Sequence, residues 1–232
     1  MAGEKKAAKS GGIGNKLKNM TDTNLLLLIT VVIFFAMYIA AIIFQGKGFL
    51  KAQTFLNILN ANAALIILSC GLSIVMITGG IDISVGGVTA LVGMCCAVYL
   101  DFKGGNVAVA VIIALAIGVA FGLVQGFLVA YLDIQPFIVT LAGMFFARGM
   151  TTIVNSSPFN VANEDFVALK GTRITVPGLG SVNKLGKYVD AYVEIGVVVA
   201  LLVVIILFCV LRWTKFGRAL YAVGGNRQSA LM

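Results

Sequence analysis

Six long apolar stretches constrain this chain more than any other feature of its sequence. The first, residues 25–43, has 19 residues without a charge, and a helix of that length, at about 1.5 Å per residue, crosses a hydrocarbon core of about 30 Å. Five further apolar stretches lie at about 56–78, 85–100, 106–131, 136–154 and 191–211. They lack the sustained alternation of apolar and polar residues that is typical of barrel strands. We therefore predict an all-α fold, a polytopic membrane helix bundle of about six transmembrane helices.

Composition points to lipid rather than water as the solvent of most of the chain. Hydrophobic residues make up 60% of the 232 residues, against about 45–50% in soluble domains. Histidine is absent, which excludes His-based catalytic triads and zinc sites with imidazole ligands. The basic residues behind the net charge of +8 are scattered rather than clustered with aromatic residues, so we expect no nucleic-acid partner. We also expect no catalytic residue, metal or cofactor on this chain.

Charged segments divide the chain into three parts. Residues 1–24 carry five lysines among small and polar residues, which is typical of a flexible basic tail at a membrane surface. Residues 25–211 form the transmembrane domain. A modest excess of Lys and Arg on one side places the N-terminus in the cytoplasm and residues 155–190 outside, as an external loop. That loop is either a docking surface for an extracytoplasmic partner or a passive connection.

The third part, residues 212–232, follows the last apolar stretch with several basic residues. We expect a short amphipathic helix over about 216–223 that lies along the cytoplasmic face and ends at the pair Gly224 and Gly225. Such a helix can transmit force from a soluble partner. Its glycine-rich end lacks the Gly-Lys-Ser/Thr of a phosphate-binding loop. Any ATP hydrolysis must therefore occur on another chain.

The segment MITGGIDISVGG, residues 76–87, interrupts the apolar pattern between the second and third stretches. Glycine pairs let the backbone leave helical geometry, and irregular backbone at membrane depth survives only where protein or a water-filled cavity satisfies it. An ionised carboxylate there is costly unless it is partnered, which makes Asp82 a candidate functional residue. The alternative is an ordinary tight turn in which Asp82 or Ser84 caps the third helix. The candidate residues of this helix break are Gly79, Gly80, Asp82, Ser84 and Gly86.

A second candidate segment is QPFIVTLAGMFFARG, residues 135–149, which opens at Pro136 as the first turn of a helix often does. Thr140 either faces a polar path between helices or bonds only to the backbone of its own helix. Arg148 either borders the same path or extends its guanidinium to the outer membrane interface. Both residues are therefore candidates for a translocation path, with the structural alternatives open.

Three motifs, in this order and at these spacings, resemble the permease subunits of ribose- and galactose-type sugar ABC importers: GGIDISVGG, PFIVTLAGMFFARG and TKFGRALYAVGGNRQSA. The sequence around LAGMFFARG and the following ITVPG is most similar to permeases of the galactofuranose type. The resemblance runs from about residue 25 to the last residue. It implies a glycine-aspartate signature on the translocation path, formed by Gly79, Gly80, Asp82 and Ser84. It also implies a segment that couples to the ATPase, formed by Gly217, Arg218, Gly224, Gly225 and Asn226.

The resemblance implies a non-enzymatic, multi-pass subunit of a bacterial cell membrane, which forms a translocation path as a dimer with a second permease chain. Sugar would arrive from an extracytoplasmic sugar-binding protein, and a separate ABC ATPase subunit in the cytoplasm would drive its import. Permeases of this family continue with further membrane helices after the coupling segment, whereas this chain stops at Met232. We therefore expect a fragment or a truncated product.

The sequence leaves two other functions open. An ion-coupled secondary transporter would use Asp82 in a broken helix as its cation or proton site. We expect no second carboxylate inside the membrane, since Glu194, at the start of the sixth stretch, is expected at the outer interface. A non-transporting membrane fragment, with a structural or assembly role, fits the small number of polar residues in those stretches. Dependence of uptake on a co-expressed ATPase separates the first function from both of these.

Overall fold

The computed structural model describes residues 22–46, 51–182, 186 and 188–225. Its long helices are α1 Asp22–Gln45, α2 Ala52–Ile77, α3 Val85–Phe102, α4 Val107–Ala130, α5 Pro136–Val154 and α7 Ile195–Trp213. Between the last two of these lie a short helix, α6 Glu164–Gly171, and two strands, β1 Arg173–Val182 and β2 Tyr188–Glu194. A further helix, α8 Lys215–Gly225, follows α7.

Within the described residues, six helices are long and apolar enough to cross a membrane. The predicted all-α, polytopic bundle is therefore confirmed. The start of the last span differs from the prediction, because residues 191–194 belong to β2 rather than to α7. Strand β2 pairs antiparallel with β1, with Arg173 opposite Glu194. The apolar character of this stretch comes from aromatic and β-branched residues, which suit a paired strand as well as a span.

The chain divides into two compact units, residues 1–55 and 56–232. In the first unit, no residue in the most apolar part of α1 is buried within the chain. Side chains on several sides of this helix, such as those of Leu27, Val32 and Met37, are more than half exposed. A helix that is apolar all round is suited to a lipid or protein environment rather than to water.

The second unit contains two packed groups of helices. In the first group α3 packs on α4 and α5, and Gly87 lies against α5, where a Cβ atom would be 2.8 Å from the carbonyl oxygen of Met144. In the second group α2 packs on α7 through Ala63, Val197 and Ala200. Small residues at helix crossings let backbones approach closely, which is how helices commonly associate in lipid.

The described residues between α5 and α7 are folded and attached to the bundle. Asn163, at the start of α6, donates from Nδ2 to the carbonyl oxygens of Leu100 at 3.1 Å and Gly105 at 3.3 Å. The Asp101 carboxylate accepts the Ala162 N–H at 2.8 Å. The predicted external loop is therefore held against the end of the bundle where α3 passes into α4, and it carries a helix and a β-hairpin that the sequence pattern did not predict.

Replacing Gly87 with alanine is expected to lower the free energy of unfolding by about 1–3 kcal/mol, because the added Cβ overpacks the contact with Met144. Gly86 is the matched control, since its Cβ position has no atom within 4 Å. Alanine there should leave stability unchanged or raise it by up to about 1 kcal/mol through better helix propensity. Thermal unfolding in detergent measures both variants. Equal unfolding temperatures would contradict the close packing of α3 on α5.

Candidate functional site

The backbone between α2 and α3 leaves helical geometry at two glycines. Gly79 has a φ of 80°. Its N–H donates to the Met76 carbonyl at 3.0 Å, and the Gly80 N–H donates to the Val75 carbonyl at 3.0 Å. These two bonds form a Schellman motif, which ends a helix at a left-handed residue that is usually glycine. The predicted helix break thus lies here, and the Val75 and Met76 carbonyl groups near the end of α2 accept from the N–H groups of the link that follows.

Asp82 supplies hydrogen-bond acceptors at the start of α3. Its Oδ1 accepts the Ser84 N–H at 2.8 Å and the Ser84 hydroxyl at 2.7 Å. Ser84 is 2% exposed, so its donors depend on a protein partner. Asp82 therefore closes an Asx turn onto Ser84, the N-cap residue of α3, which is the kind of tight turn that the sequence left open as an alternative. The side chain of Ser84 itself makes no capping bond to α3.

Thr140 joins α5 to the same helix break. Its hydroxyl lies 3.2 Å from the Ile81 carbonyl oxygen and 3.3 Å from the Phe137 carbonyl oxygen. One acceptor belongs to the break and the other to its own helix, so the hydroxyl bonds to more than its own helix, and its role on a translocation path stays a prediction. Because a hydroxyl has one proton, the two carbonyl oxygens share it. Thr140 therefore holds the break against the first turns of α5.

These groups border a cavity of about 630 Å³, which we call the polar cavity. Its walls come from the end of α2, the link to α3, the end of α4, the start of α5 and Val223 on α8. The polar side chains in its wall are Thr78, Asp82, Gln125, Asp133, Gln135 and Thr140. Carboxylate, amide and hydroxyl groups exchange hydrogen bonds with hydroxylated ligands, and the volume suits a small molecule.

Two predicted site residues lie apart from the polar cavity. Gly86 is exposed in the first turn of α3, with open space at its Cβ position. Arg148 is exposed on α5, about 12 Å along the helix from Thr140 at about 1.5 Å per residue. Neither residue lines the polar cavity. A role for Gly86 or Arg148 on a translocation path stays a prediction.

Gln125 is a site residue that sequence reasoning missed. It is the single polar side chain in α4, and an amide in a helix that crosses lipid is costly unless it finds a partner. That signal could have identified it. Its Oε1 lies 3.3 Å from the Ser84 hydroxyl oxygen. Gly143 on α5 provides the space for this amide, since a Cβ there would overlap the Gln125 nitrogen.

Helix α8 contacts the ends of two spans through two glycines. A Cβ on Gly217 would overlap the Leu211 carbonyl of α7, and a Cβ on Gly224 would overlap the Ile77 carbonyl of α2. The two glycines are about two helical turns apart and so share one face of α8. This face packs on the bundle, next to the polar cavity.

The corner between α7 and α8 is closed by Thr214. Its Oγ1 accepts the Gly217 N–H at 3.1 Å and donates to the Val210 carbonyl oxygen at 2.6 Å. The observed helix, Lys215–Gly225, contains the predicted one and runs through both final glycines. The short helix after the last span is therefore present as predicted.

The remaining predicted coupling residues lie elsewhere on α8 or beyond it. Arg218 is exposed and borders, with Arg212 and Tyr221, a cavity of about 590 Å³ at the α7–α8 corner. Gly225 has open space at its Cβ position. Asn226 lies outside the described residues. Helix α8 thus packs Gly217 and Gly224 on the ends of α7 and α2, and it leaves the Arg218 side chain exposed at the corner with α7.

A family model described as "Branched-chain amino acid transport system / permease component" matches residues 54–232. The inner membrane ABC transporter permease protein YjfF of Escherichia coli is 35% identical over 91% of this chain and 60% of its own length. The fructose import permease protein FruG of Bifidobacterium longum is 33% identical over 88% of this chain and 58% of its own. The ribose import permease protein RbsC of Escherichia coli is 34% identical over 81% of this chain and 55% of its own length. The chain thus spans little more than half of these relatives. No solved structure matches it.

Replacing Asp82 with alanine is expected to lower the free energy of unfolding by about 1–2 kcal/mol, because the buried donors of Ser84 lose their acceptor. Asp82→Asn is the matched control, since an amide oxygen can accept the same bonds without the charge. It should keep most of the stability. Thermal unfolding in detergent compares the two, and an asparagine variant as unstable as the alanine variant would contradict the role of the Asp82 oxygen as acceptor for Ser84.

Proposed function

Since this chain belongs to the family of permease components described for branched-chain amino acid transport systems, we propose that it is the membrane-spanning permease subunit of an ATP-driven ABC importer for a monosaccharide. Relatives named for fructose, galactose and ribose import support a sugar as the cargo. A cargo of the galactofuranose type stays a prediction from the sequence. The observation that carries the proposal is the polar cavity at the helix break, with α8 in its wall.

The polar cavity has the chemistry that a sugar requires on a translocation path. Asp82 and Thr140 place a carboxylate and a hydroxyl at its wall, and such groups exchange hydrogen bonds with the hydroxyl groups of a monosaccharide. A path must also bind its cargo weakly enough to release it. Because Asp82 and Thr140 already bond to protein groups, they offer a sugar only part of their hydrogen-bonding capacity. This reduced capacity suits a sugar that passes through the cavity rather than one that is held there.

The contact between Gly224 and Ile77 provides a mechanical route from α8 to the polar cavity. Ile77 is the last residue of α2, and Val223, beside Gly224, lines the cavity. Two backbones in direct contact transmit a displacement well, because no flexible side chain lies between them. An ATPase that pulls on the exposed face of α8, where Arg218 lies, would therefore move the wall of the cavity. This supports ATPase coupling through Gly217, Arg218, Gly224, Gly225 and Asn226.

The two ends of the bundle suit different partners. We place α8 and the N-terminus in the cytoplasm of a bacterial cell, where the ABC ATPase subunit would bind. The opposite end carries α6 and the β-hairpin, which would then contact the extracytoplasmic sugar-binding protein. A second permease chain would complete the path as a dimer. The many exposed apolar side chains on the spans are compatible with both lipid and a partner chain.

A second candidate function is ion-coupled secondary transport. The observation that favours it is Asp133, which lines the same cavity as Asp82. Asp133 lies in the link between α4 and α5, so the apolar stretches alone did not show this second carboxylate. Transporters of that class hold ions at broken helices. Family membership and the contact of α8 with α2 favour the ATP-driven function.

Uptake of labelled fructose, galactose and ribose separates these functions. The protein is expressed with the ATPase and binding protein of its system, and uptake is measured with an inactive ATPase and, separately, with a collapsed ion gradient. We expect uptake that requires ATP hydrolysis, an ATPase that co-purifies with the permease, and impaired uptake by Asp82→Asn. Uptake that stops only when the ion gradient collapses would establish the secondary transporter. A chain that inserts but retains neither partner would be a non-transporting membrane protein.

Replacing Gly224 with valine is expected to reduce sugar uptake per permease by about tenfold, a typical size for coupling between two sites. The reason is that the side chain overlaps the Ile77 carbonyl and separates α8 from α2. Co-purification of the ATPase should persist, because the exposed face of α8 is unchanged. Gly118→Val is the matched control, since open space surrounds that position too and it lies on α4, outside the coupling segment. Equal uptake by the two variants would rule out this route of coupling.

A further inference from the structure

Gln125 lies in the wall between two cavities of the second unit. One is the polar cavity, and the other is an apolar cavity of about 460 Å³ along α4 and α5, which Gly143 also lines. The amide nitrogen of Gln125 is buried and has no hydrogen-bond partner within the described part of the chain. A buried donor without a partner is costly. The position of this amide therefore requires a physical explanation.

The hydroxyl of Ser84 provides that explanation. Ser84 Oγ lies 2.7 Å from Asp82 Oδ1 and 3.3 Å from Gln125 Oε1. A hydroxyl has one proton and two lone pairs, and the shorter contact, to a carboxylate, takes the proton. Ser84 Oγ therefore presents a lone pair to Gln125. The group that belongs opposite this lone pair is a donor.

We propose that Gln125 donates from Nε2 to Ser84 Oγ, with its amide rotated by half a turn. The oxygen and nitrogen of an amide have nearly the same shape, so the half-turn keeps a separation of about 3.3 Å and gives the buried nitrogen its partner. The result is a directed relay, from Gln125 N–H to Ser84 O–H to Asp82 Oδ1. Each bond in such a chain polarises and strengthens the next.

Gly143 provides the space for this relay. A Cβ at Gly143 would overlap the Gln125 amide and would lie 3.6 Å from Ser84 Cβ. After the half-turn the amide oxygen faces the Gly143 backbone, where Cα hydrogens form weak contacts with oxygen. Alanine at this position would push the amide away from Ser84. The glycine of the LAGM sequence thus accommodates a polar side chain from the neighbouring helix.

Gln125 is therefore a positioning residue for Asp82. The relay holds Oδ1 of the Asp82 carboxylate and leaves the second carboxylate oxygen unused by these bonds. It also joins the start of α3 to α4, beside α5, so a movement of these helices that widens the polar cavity would strain it. The importance of Asp82 for cargo rests on the proposed function, whereas the relay itself rests on the geometry of these three side chains.

Hydrogen–deuterium exchange of the purified protein in detergent tests the relay. Gln125→Met keeps the length of the side chain and fills the same space, but it removes the donor. We expect exchange in the peptide that covers residues 78–88 to become about three- to tenfold faster, the effect of one lost hydrogen bond. Helices α4 and α5 should exchange as in the unmodified protein. Leu128→Met is the control, because Leu128 lines the same apolar cavity. It should leave hydrogen exchange unchanged both in residues 78–88 and in α4 and α5.

A double-mutant comparison tests the bond itself. If Gln125 acts through Ser84, then Ser84→Ala combined with Gln125→Met should speed exchange no more than Ser84→Ala alone. Ser73→Ala is the matched control, because the Ser73 hydroxyl donates to the Ser69 carbonyl of its own helix at 2.7 Å. The increase in exchange caused by Ser73→Ala should therefore add to the increase caused by Gln125→Met. Additive effects of the Ser84 and Gln125 changes would overturn the relay, as would exchange that rises evenly along α4 and α5.

If Gln125→Met fails to fold, Gly143→Ala provides a second test of the relay. The alanine variant retains every hydrogen-bonding group and only displaces the Gln125 amide. It should produce the same local increase in exchange. In the uptake assay, Gln125→Met should lower the maximal rate per permease without changing the sugar concentration for half-maximal uptake, which the binding protein sets. Fast local exchange in a protein that transports no sugar would support the relay and contradict the proposed function. Transport with unchanged exchange would contradict the relay alone.

Discussion

Lipid offers no hydrogen-bond partners, and the rest of this structure depends on how the link between α2 and α3 meets that constraint. The N–H groups of Gly79 and Gly80, in the link, satisfy two carbonyl groups near the end of α2. Asp82 accepts the donors at the start of α3, and Thr140 meets a carbonyl of the link. The groups that make an interrupted backbone tolerable are also the groups that border the polar cavity. The same groups therefore stabilise the helix break and set the chemistry of the polar cavity.

Glycines determine where the elements of the second unit meet. Gly87 lets α3 reach α5, Gly143 makes room for an amide from α4, and Gly224 lets α8 reach the end of α2. In lipid, apolar surface gains little by leaving the solvent, so helices associate through close contact between backbones. Such contacts are stiff. The same packing that stabilises the bundle therefore gives α8 a direct connection to the polar cavity, and this connection supports the coupling role proposed for it.

Much of the fold could be predicted because spans and breaks have local causes. A charge-free stretch of span length gives a membrane helix, and paired glycines beside a carboxylate give an interruption. The β-hairpin escaped prediction because its residues 191–194 are apolar enough to continue a span, and only pairing with β1 separates the two outcomes. Gln125 escaped because its partner Ser84 lies 41 positions away in the chain. Thr140 and Arg148 were equal candidates in sequence, yet Thr140 alone of the two lines the cavity.

The sequence by itself determined the six spans of the described residues, the position of the helix break and the short helix after the last of these spans, since each depends on residues that are neighbours along the chain. Only the tertiary structure decided which glycine of each pair contacts a neighbouring backbone. Gly87 and Gly224 meet a neighbouring backbone, whereas Gly86 and Gly225 face open space. Adjacent residues on a helix point about 100° apart, so one member of a pair packs and the other does not, and the partner that decides between them lies on another helix.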